Sequence, residues 1–276
     1  SALSRALSEL GFPAVAVAGG DQGSAESLAQ ELGAGVMLEP FDGLGDRARL
    51  IVLTPPDREL EAVALSLADA GLGHGSCLLQ TSAALPSSLL ESADRGERVL
   101  RLSFHPLKPF PDRDRDLRHF NDALVTVEGD DRAFLFGESL ARLLNAHPIR
   151  LAPDLKSAYH AAGVMALTGV MALAWAVGRM GDSMNLEREF MTRGILPGMR
   201  AAIDAVETLG MPGGLTGPVS RGDTQVVADH LREISKMDPD LEPLYRQIVL
   251  TTLRIAEESG QLDSETVGRL HSLLDD

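Results

Sequence analysis

Over the first 150 residues, short apolar runs alternate with stretches whose apolar positions recur at helical spacing. SALSRALSELG reads as a helix closed by Gly11, and PAVAVAGG as a short buried strand stopped by glycines. SAESLAQELG follows as a helix with Ser24 as N-cap and Gly33 as its stop. ARLIVLTPP is a second strand, broken by Pro55 and Pro56, and DRELEAVALSLADAGL is a helix. GSCLLQTSA, RVLRLSFHP and DALVTVEG supply three more strands, whereas PDRDRDLRHFND (111–122) is polar and loop-like. Apolar strands separated by helices predict a parallel sheet covered on both faces. After about residue 150 helical periodicity takes over, at 154–180, 186–209, 223–236, 240–259 and 263–275. The expected fold class is therefore α/β, with a sheet domain over 1–150 and an all-helical domain over 151–276.

Charge and composition narrow the partners. With 25 basic and 40 acidic side chains the 276-residue chain carries a formal charge of −15, which repels a phosphate backbone and argues against nucleic acid. A local basic pocket for a small anionic metabolite remains compatible with that balance. One cysteine, Cys77, precludes an internal disulfide and fits a reducing, cytoplasmic setting. The stretch AAGVMALTGVMALAWAVG (161–178) has no charge over 18 residues, near the lower limit for a membrane span. Its Ala and Gly content, and the flanking Lys156, His160 and Arg179, favour a helix buried on all sides in a domain or dimer core.

Ligands of open parallel sheets sit beyond the carboxyl ends of the strands. Those ends carry Gly19, Gly20 and Asp21, then Thr54 and Pro55, then Thr81 and Ser82, then His105. Each alone is an ordinary turn residue, but their shared position marks a dinucleotide cleft. Such a domain normally opens with a strand and a glycine-rich turn that receives the pyrophosphate at a helix N-terminus. Here the first element is the helix itself. The expectation is that residues precede Ser1 in the natural protein or that the nucleotide site is compromised, because the lost strand would lie at the sheet centre.

The segments LIVLTPPDRELEAVA, LLQTSAALPSSLL, SFHPLKPF, KSAYHAAGVMAL and LTGPVSRGDTQVVADHL occur in an order and at intervals that resemble one family over nearly the whole chain. This is the DUF2520 type of Rossmann-like NADP-dependent oxidoreductase, itself similar to pyrroline-5-carboxylate reductase, ketopantoate reductase and 6-phosphogluconate dehydrogenase. The resemblance implies an NAD(P)-binding N-terminal domain and a helical domain that dimerises and closes over substrate. Two positions depart from the family pattern. Gly20 stands where an Arg often holds the 2′-phosphate of NADP, and the adjacent Asp21 would accept a ribose hydroxyl of NAD. Leu167-Thr168 replaces a common Ser-Asn, which loses an amide able to orient a substrate carbonyl.

Several side chains are candidates for the chemistry. Lys156 and His160 lie four apart on one helical face. A carbonyl that receives hydride must also receive a proton, and the resemblance, through a Lys at the start of the corresponding helix in related dehydrogenases, makes Lys156 the donor. His160 is a second donor or a substrate clamp. His105 is a ligand to substrate or nicotinamide, or a structural histidine tied to a carbonyl. In the loop GGLTGPVSRGDTQVVADH, capping alone accounts for Asp223. It does not account for Arg221 or for the Thr216-Gly217 corner, which suit a substrate carboxylate. The function expected is reduction, with NADP or NAD, of a small carboxylate-bearing carbonyl (a ketopantoate-like 2-oxo acid) or imine by a homodimer. The alternative is a non-catalytic nucleotide- or metabolite-binding protein on the same fold.

Overall fold

The computed structural model describes residues 2–19, 22–37, 41–96, 98–110 and 117–275. The chain divides into two compact units, Ser1–Leu167 and Thr168–Asp276, and the division falls within the sequence of one long helix, Lys156–Ser183.

The first unit begins with α1 (Ala2–Glu9), β1 (Ala16–Val17), α2 (Gln22–Leu32), β2 (Gly35–Val36) and the single turn α3 (Leu44–Arg47). Because α2 starts at Gln22, Ser24 lies within its first turn and is not the expected cap. Then come β3 (Leu50–Leu53), α4 (Leu60–Asp69), β4 (Cys77–Gln80) and β5 (Leu100–Pro106). The unit continues with β6 (Leu124–Glu128), α5 (Asp131–Leu143), β7 (His147–Arg150) and the first turns of α6 (Lys156–Ser183).

Five strands form one sheet in the order β3-β4-β5-β6-β7, while β1 and β2 pair separately, Ala16 with Gly35 and Val17 with Val36. The sheet is not wholly parallel, which corrects the expectation for its second half. Strands β3, β4 and β5 are parallel, but β6 runs antiparallel to β5, with Ser103 opposite Glu128 and His105 opposite Thr126. A parallel return needs a crossover, usually a helix, and the described part of this connection holds only the 3-10 turn Leu117–Phe120. Helix α5 supplies such a crossover to β7, which is parallel to β6. Pro148 is tolerated in β7 because that strand is an edge.

Strand β4 is buried throughout, and Cys77, Leu78 and Leu79 run apolar without alternation because both faces are covered. Cys77 and Leu79 join Leu3 and Leu7 of α1 and Leu140 of α5 on one face, and Leu78 joins Leu60, Ala64 and Leu67 of α4 on the other. Gly137 of α5 lies against β5 and β6. A Cβ there would come within 2.6 Å of Val127 Cγ1 and 2.9 Å of Leu102 Cδ1. Gly137→Ala is therefore expected to cost about 1–3 kcal/mol by overpacking despite its better helix propensity, measured as a shift in denaturant midpoint without change of slope.

The second unit holds the rest of α6, then α7 (Arg188–Gly214), α8 (Thr224–Met237), α9 (Glu242–Glu258) and α10 (Ser264–Asp275). All five match the helices expected from periodicity. Val227 and Leu231, Val249 and Leu253, and Leu270 and Leu274 form the core of α8, α9 and α10. Helix α7 buries none of its side chains and is broken at Gly210, where φ is 73° and ψ 174°.

Helix α6 departs from the domain-core half of its expectation. Over its most apolar 18-residue window only 17% is buried, and Met165, Met171 and Trp175 are 78%, 72% and 51% exposed. By length and composition Pro153–Ser183 could also cross a membrane.

Candidate functional site

Strand alternation puts a polar row on a sheet that is otherwise apolar. On β5, Leu102 and Phe104 enter the core, so Ser103 and His105 point to the opposite face. On β6, Val125 and Val127 enter it, so Thr126 and Glu128 do the same. The antiparallel register sets Ser103 against Glu128 and His105 against Thr126. Four polar side chains thus share one face.

The carboxyl end of β4 meets this row. Gln80 is fully buried: its amide donates to Leu85 O at 2.7 Å and its carbonyl accepts from Ser82 N at 2.5 Å. Ser82 Oγ accepts from Ala84 N and Leu85 N, and donates to Asp57 Oδ2 at 2.9 Å. These bonds fix a tight turn whose outward carbonyls are those of Thr81 and Ser82. Thr54 and Pro55 follow the neighbouring strand β3 at the same level, since Leu53 pairs with Gln80.

Helix α6 adds the charge. Lys156, its first residue, is 1% exposed, and Nζ donates to Ser103 Oγ at 2.7 Å and to Ser82 O at 3.2 Å. Burial lowers the pKa of its ammonium from the ordinary lysine value, and the carboxylates of Glu128 and Asp57 oppose that shift. Glu128 accepts from Ser87 N at 2.6 Å and Ser87 Oγ at 2.7 Å. One turn on, the exposed His160 sets its ring edge-on to His105, with centroids 6.3 Å apart.

His105 Nδ1 lies 3.0 Å from Thr81 O. Its pKa is lowered, by burial first and then by Lys156 and His160, while the Thr81 carbonyl and Asp57 act the other way. The unfolded chain takes up this proton near pH 6.5 and the folded site only at lower pH. Between those two values the unfolded state binds more protons, so stability falls as pH falls. His105→Asn is expected to flatten that part of the stability–pH curve, as followed by urea melts from pH 7.5 down to 5.

Thr81, Ser82, His105, Lys156 and His160, separate in sequence, therefore form one bonded or touching group. Gly19 follows β1 in the other sheet, and Gly20 and Asp21 lie outside the described residues. Sequence reasoning missed Ser103, Glu128, Gln80, Ser87 and Asp57. The period-2 pattern Ser-Phe-His and Thr-Val-Glu was the available signal for two of them.

Thr216, Gly217, Arg221 and Asp223 fall in one loop of the second unit. Asp223 precedes α8 without a side-chain capping bond, and its carboxylate instead accepts from Arg221 Nε at 2.9 Å. The capping account of Asp223 is therefore replaced by an ion pair. The Arg221 side chain is 62% exposed, and this bond leaves its terminal guanidinium nitrogens free of Asp223.

Residues 123–252 match the family model described as a domain of unknown function, DUF2520. No curated protein matches the chain. Among solved structures, protein TM1727 from Thermotoga maritima is similar at 25% identity and a TM-score of 0.73, covering 94% of this chain and 96% of that one. Protein BF3122 from Bacteroides fragilis, assigned as an NADP oxidoreductase, has 20% identity and a TM-score of 0.70, over 92% and 93%. An imine reductase from Myxococcus stipitatus in complex with NADP+ has 16% identity and a TM-score of 0.57, over 98% and 95%. These likenesses establish the fold as a Rossmann-like sheet domain followed by a helical one.

Proposed function

We propose that this chain, a relative in fold of the Rossmann-like dehydrogenases, is an NADP- or NAD-dependent oxidoreductase that reduces a small carboxylate-bearing carbonyl or imine. The observation that carries the reading is the convergence of Thr81, Ser82, His105, Lys156 and His160 at the carboxyl ends of parallel strands, where open α/β sheets bind nucleotides. The residues present fit the nicotinamide end of such a cofactor: a tight small-residue turn, a neutral imidazole and a buried ammonium. Thr54, Pro55, Thr81 and Ser82 would hold it there, with Gly19, Gly20 and Asp21 at the ribose. The bound cofactor supplies the hydride.

Lys156 has three N–H groups and uses two within the protein, which leaves one for a substrate oxygen or nitrogen. Its lowered pKa makes it a stronger proton donor than an ordinary lysine. His160, exposed on the same helical face, is the second donor or clamp. Arg221, with Thr216, Gly217 and Asp223, takes the substrate carboxylate. Arg221→Ala is expected to raise KM for an acidic substrate roughly 10- to 150-fold, the equivalent of losing one charge-assisted hydrogen bond. Cofactor affinity should stay unchanged, and an equal effect on both would remove Arg221 from this role.

A second copy of the chain would cover α6 and α7. Both helices expose large apolar side chains, among them Met165, Met171 and Trp175 on α6 and Phe190, Leu209 and Met211 on α7. A run of exposed apolar side chains along a helix marks an interaction surface, whereas single ones are ordinary. Helix α7 interleaves these residues with Arg193, Arg200, Asp204 and Glu207, too many charges for lipid. A homodimer of a cytoplasmic enzyme accounts for both helices.

The test is a fluorescence titration of the full-length protein with NADPH and NADH, followed by turnover on a panel of 2-oxo acids and cyclic imines. Micromolar binding and turnover support the reading. The enclosure of Lys156 favours one second reading, a non-catalytic nucleotide- or metabolite-binding protein, which binding without turnover would select.

A further inference from the structure

The fold dictates the hydrogen-bonding polarity of His105. Its Nδ1 faces the Thr81 carbonyl at 3.0 Å, and a carbonyl only accepts, so Nδ1 carries the proton. A neutral imidazole has one N–H, and the lone pair is then on Nε2. Among the described residues Nε2 has no hydrogen-bond partner. The titratable groups around it are Lys156 and His160 on α6, and Asp57 after β3. On β6 the facing Thr126 hydroxyl donates to the His105 main-chain carbonyl at 3.4 Å.

We infer that His105 presents Nε2 as a hydrogen-bond acceptor to the ligand of this site and so selects for an N–H or O–H group there. The lone pair repels a carbonyl oxygen or a carboxylate, so His105 neither stabilises a developing oxyanion nor binds the substrate acid. Burial and the neighbouring Lys156 favour the neutral ring, and protonation at low pH would turn the acceptor into a donor. The identity of the ligand rests on the oxidoreductase reading, whereas the tautomer rests on the Thr81 contact alone. Two sources offer the required donor: the carboxamide of the cofactor, and a hydroxyl or amine on the substrate.

The experiment uses protein labelled with 15N-histidine, with the His105 ring nitrogens assigned by their loss in His105→Asn. The expected spectrum is the Nδ1–H tautomer at neutral pH, with a midpoint below that of an ordinary histidine. An Nε2–H tautomer overturns the inference. NADPH and ketopantoate are then added separately: a shift of Nε2 with NADPH identifies the carboxamide, and a shift with ketopantoate alone identifies the substrate hydroxyl. Binding of both ligands with neither moving Nε2 also overturns it. In His105→Asn the amide nitrogen can keep the Thr81 bond while Nε2 is lost, and affinity for the responding ligand should fall about tenfold. His105→Gln, which can place a carbonyl near the Nε2 position, should recover part of that loss. Unchanged affinity in His105→Asn sinks the proposal. A wild type that binds neither probe overturns the oxidoreductase reading and the ligand assignment together, which the wild-type titration separates from failure at His105.

Discussion

Replacing Lys156 with Met is expected to lower turnover by about 10²- to 10⁴-fold, the range for loss of a positioned proton donor, while leaving NAD(P)H affinity within a few-fold. Met keeps the chain length and removes only the ammonium. Two buried groups then lose their donor, the Ser103 hydroxyl and the Ser82 carbonyl, and Glu128 loses a nearby cation. Each orphaned group costs about 1–3 kcal/mol, offset in part because a desolvated charge has gone. The melting temperature should fall by several degrees, since a chain of this size loses about 2–4 °C per kcal/mol. Turnover and stability together decide the role. A lower Tm with kcat within about threefold of wild type would make Lys156 a structural tie between the β4 turn and β5. Loss of both turnover and cofactor binding would mean that the turn itself had collapsed.

Met171→Glu is expected to convert a dimer into monomers. Met171 is 72% exposed in the single chain, so glutamate there meets solvent and the monomer should fold normally. In a two-fold interface the same patch serves both subunits, so each dimer would bury two new carboxylates. An unpaired buried charge costs several kcal/mol, enough to move a dissociation constant by about three orders of magnitude. Light scattering coupled to gel filtration should give half the wild-type mass with an unchanged circular dichroism spectrum. A wild type already monomeric at tens of micromolar would refute the homodimer, and a variant still dimeric would place the interface elsewhere.

Local pattern determined most of the architecture. Periodicity alone located α6 to α10; α6 carries a long apolar run, and α8, α9 and α10 each pack one face with regular spacing. The apolar runs of β3 and β4 were equally legible, because strands covered on both faces need no polar alternation, and β5 showed itself by the alternation of Leu102 and Phe104 with Ser103 and His105. The sequence also placed Thr81, Ser82 and His105 at strand ends and Lys156 at the start of a helix.

Tertiary structure alone decided the rest. The direction of β6 depends on how its connection returns to the sheet, which its own residues do not encode. Strand β7 was hidden by Pro148, whose cost disappears only at an edge. The role expected of Asp223 changed because Arg221, two residues away, takes its carboxylate. Above all, the bonds from Lys156 to Ser103 and Ser82 join residues 53 and 74 positions apart. Composition can supply an ammonium, a hydroxyl and a carbonyl, but only the register of β4 against β5 and the entry point of α6 bring them within 3.2 Å. Proton-transfer geometry is a property of that long-range packing, whereas secondary structure is largely a property of neighbours along the chain.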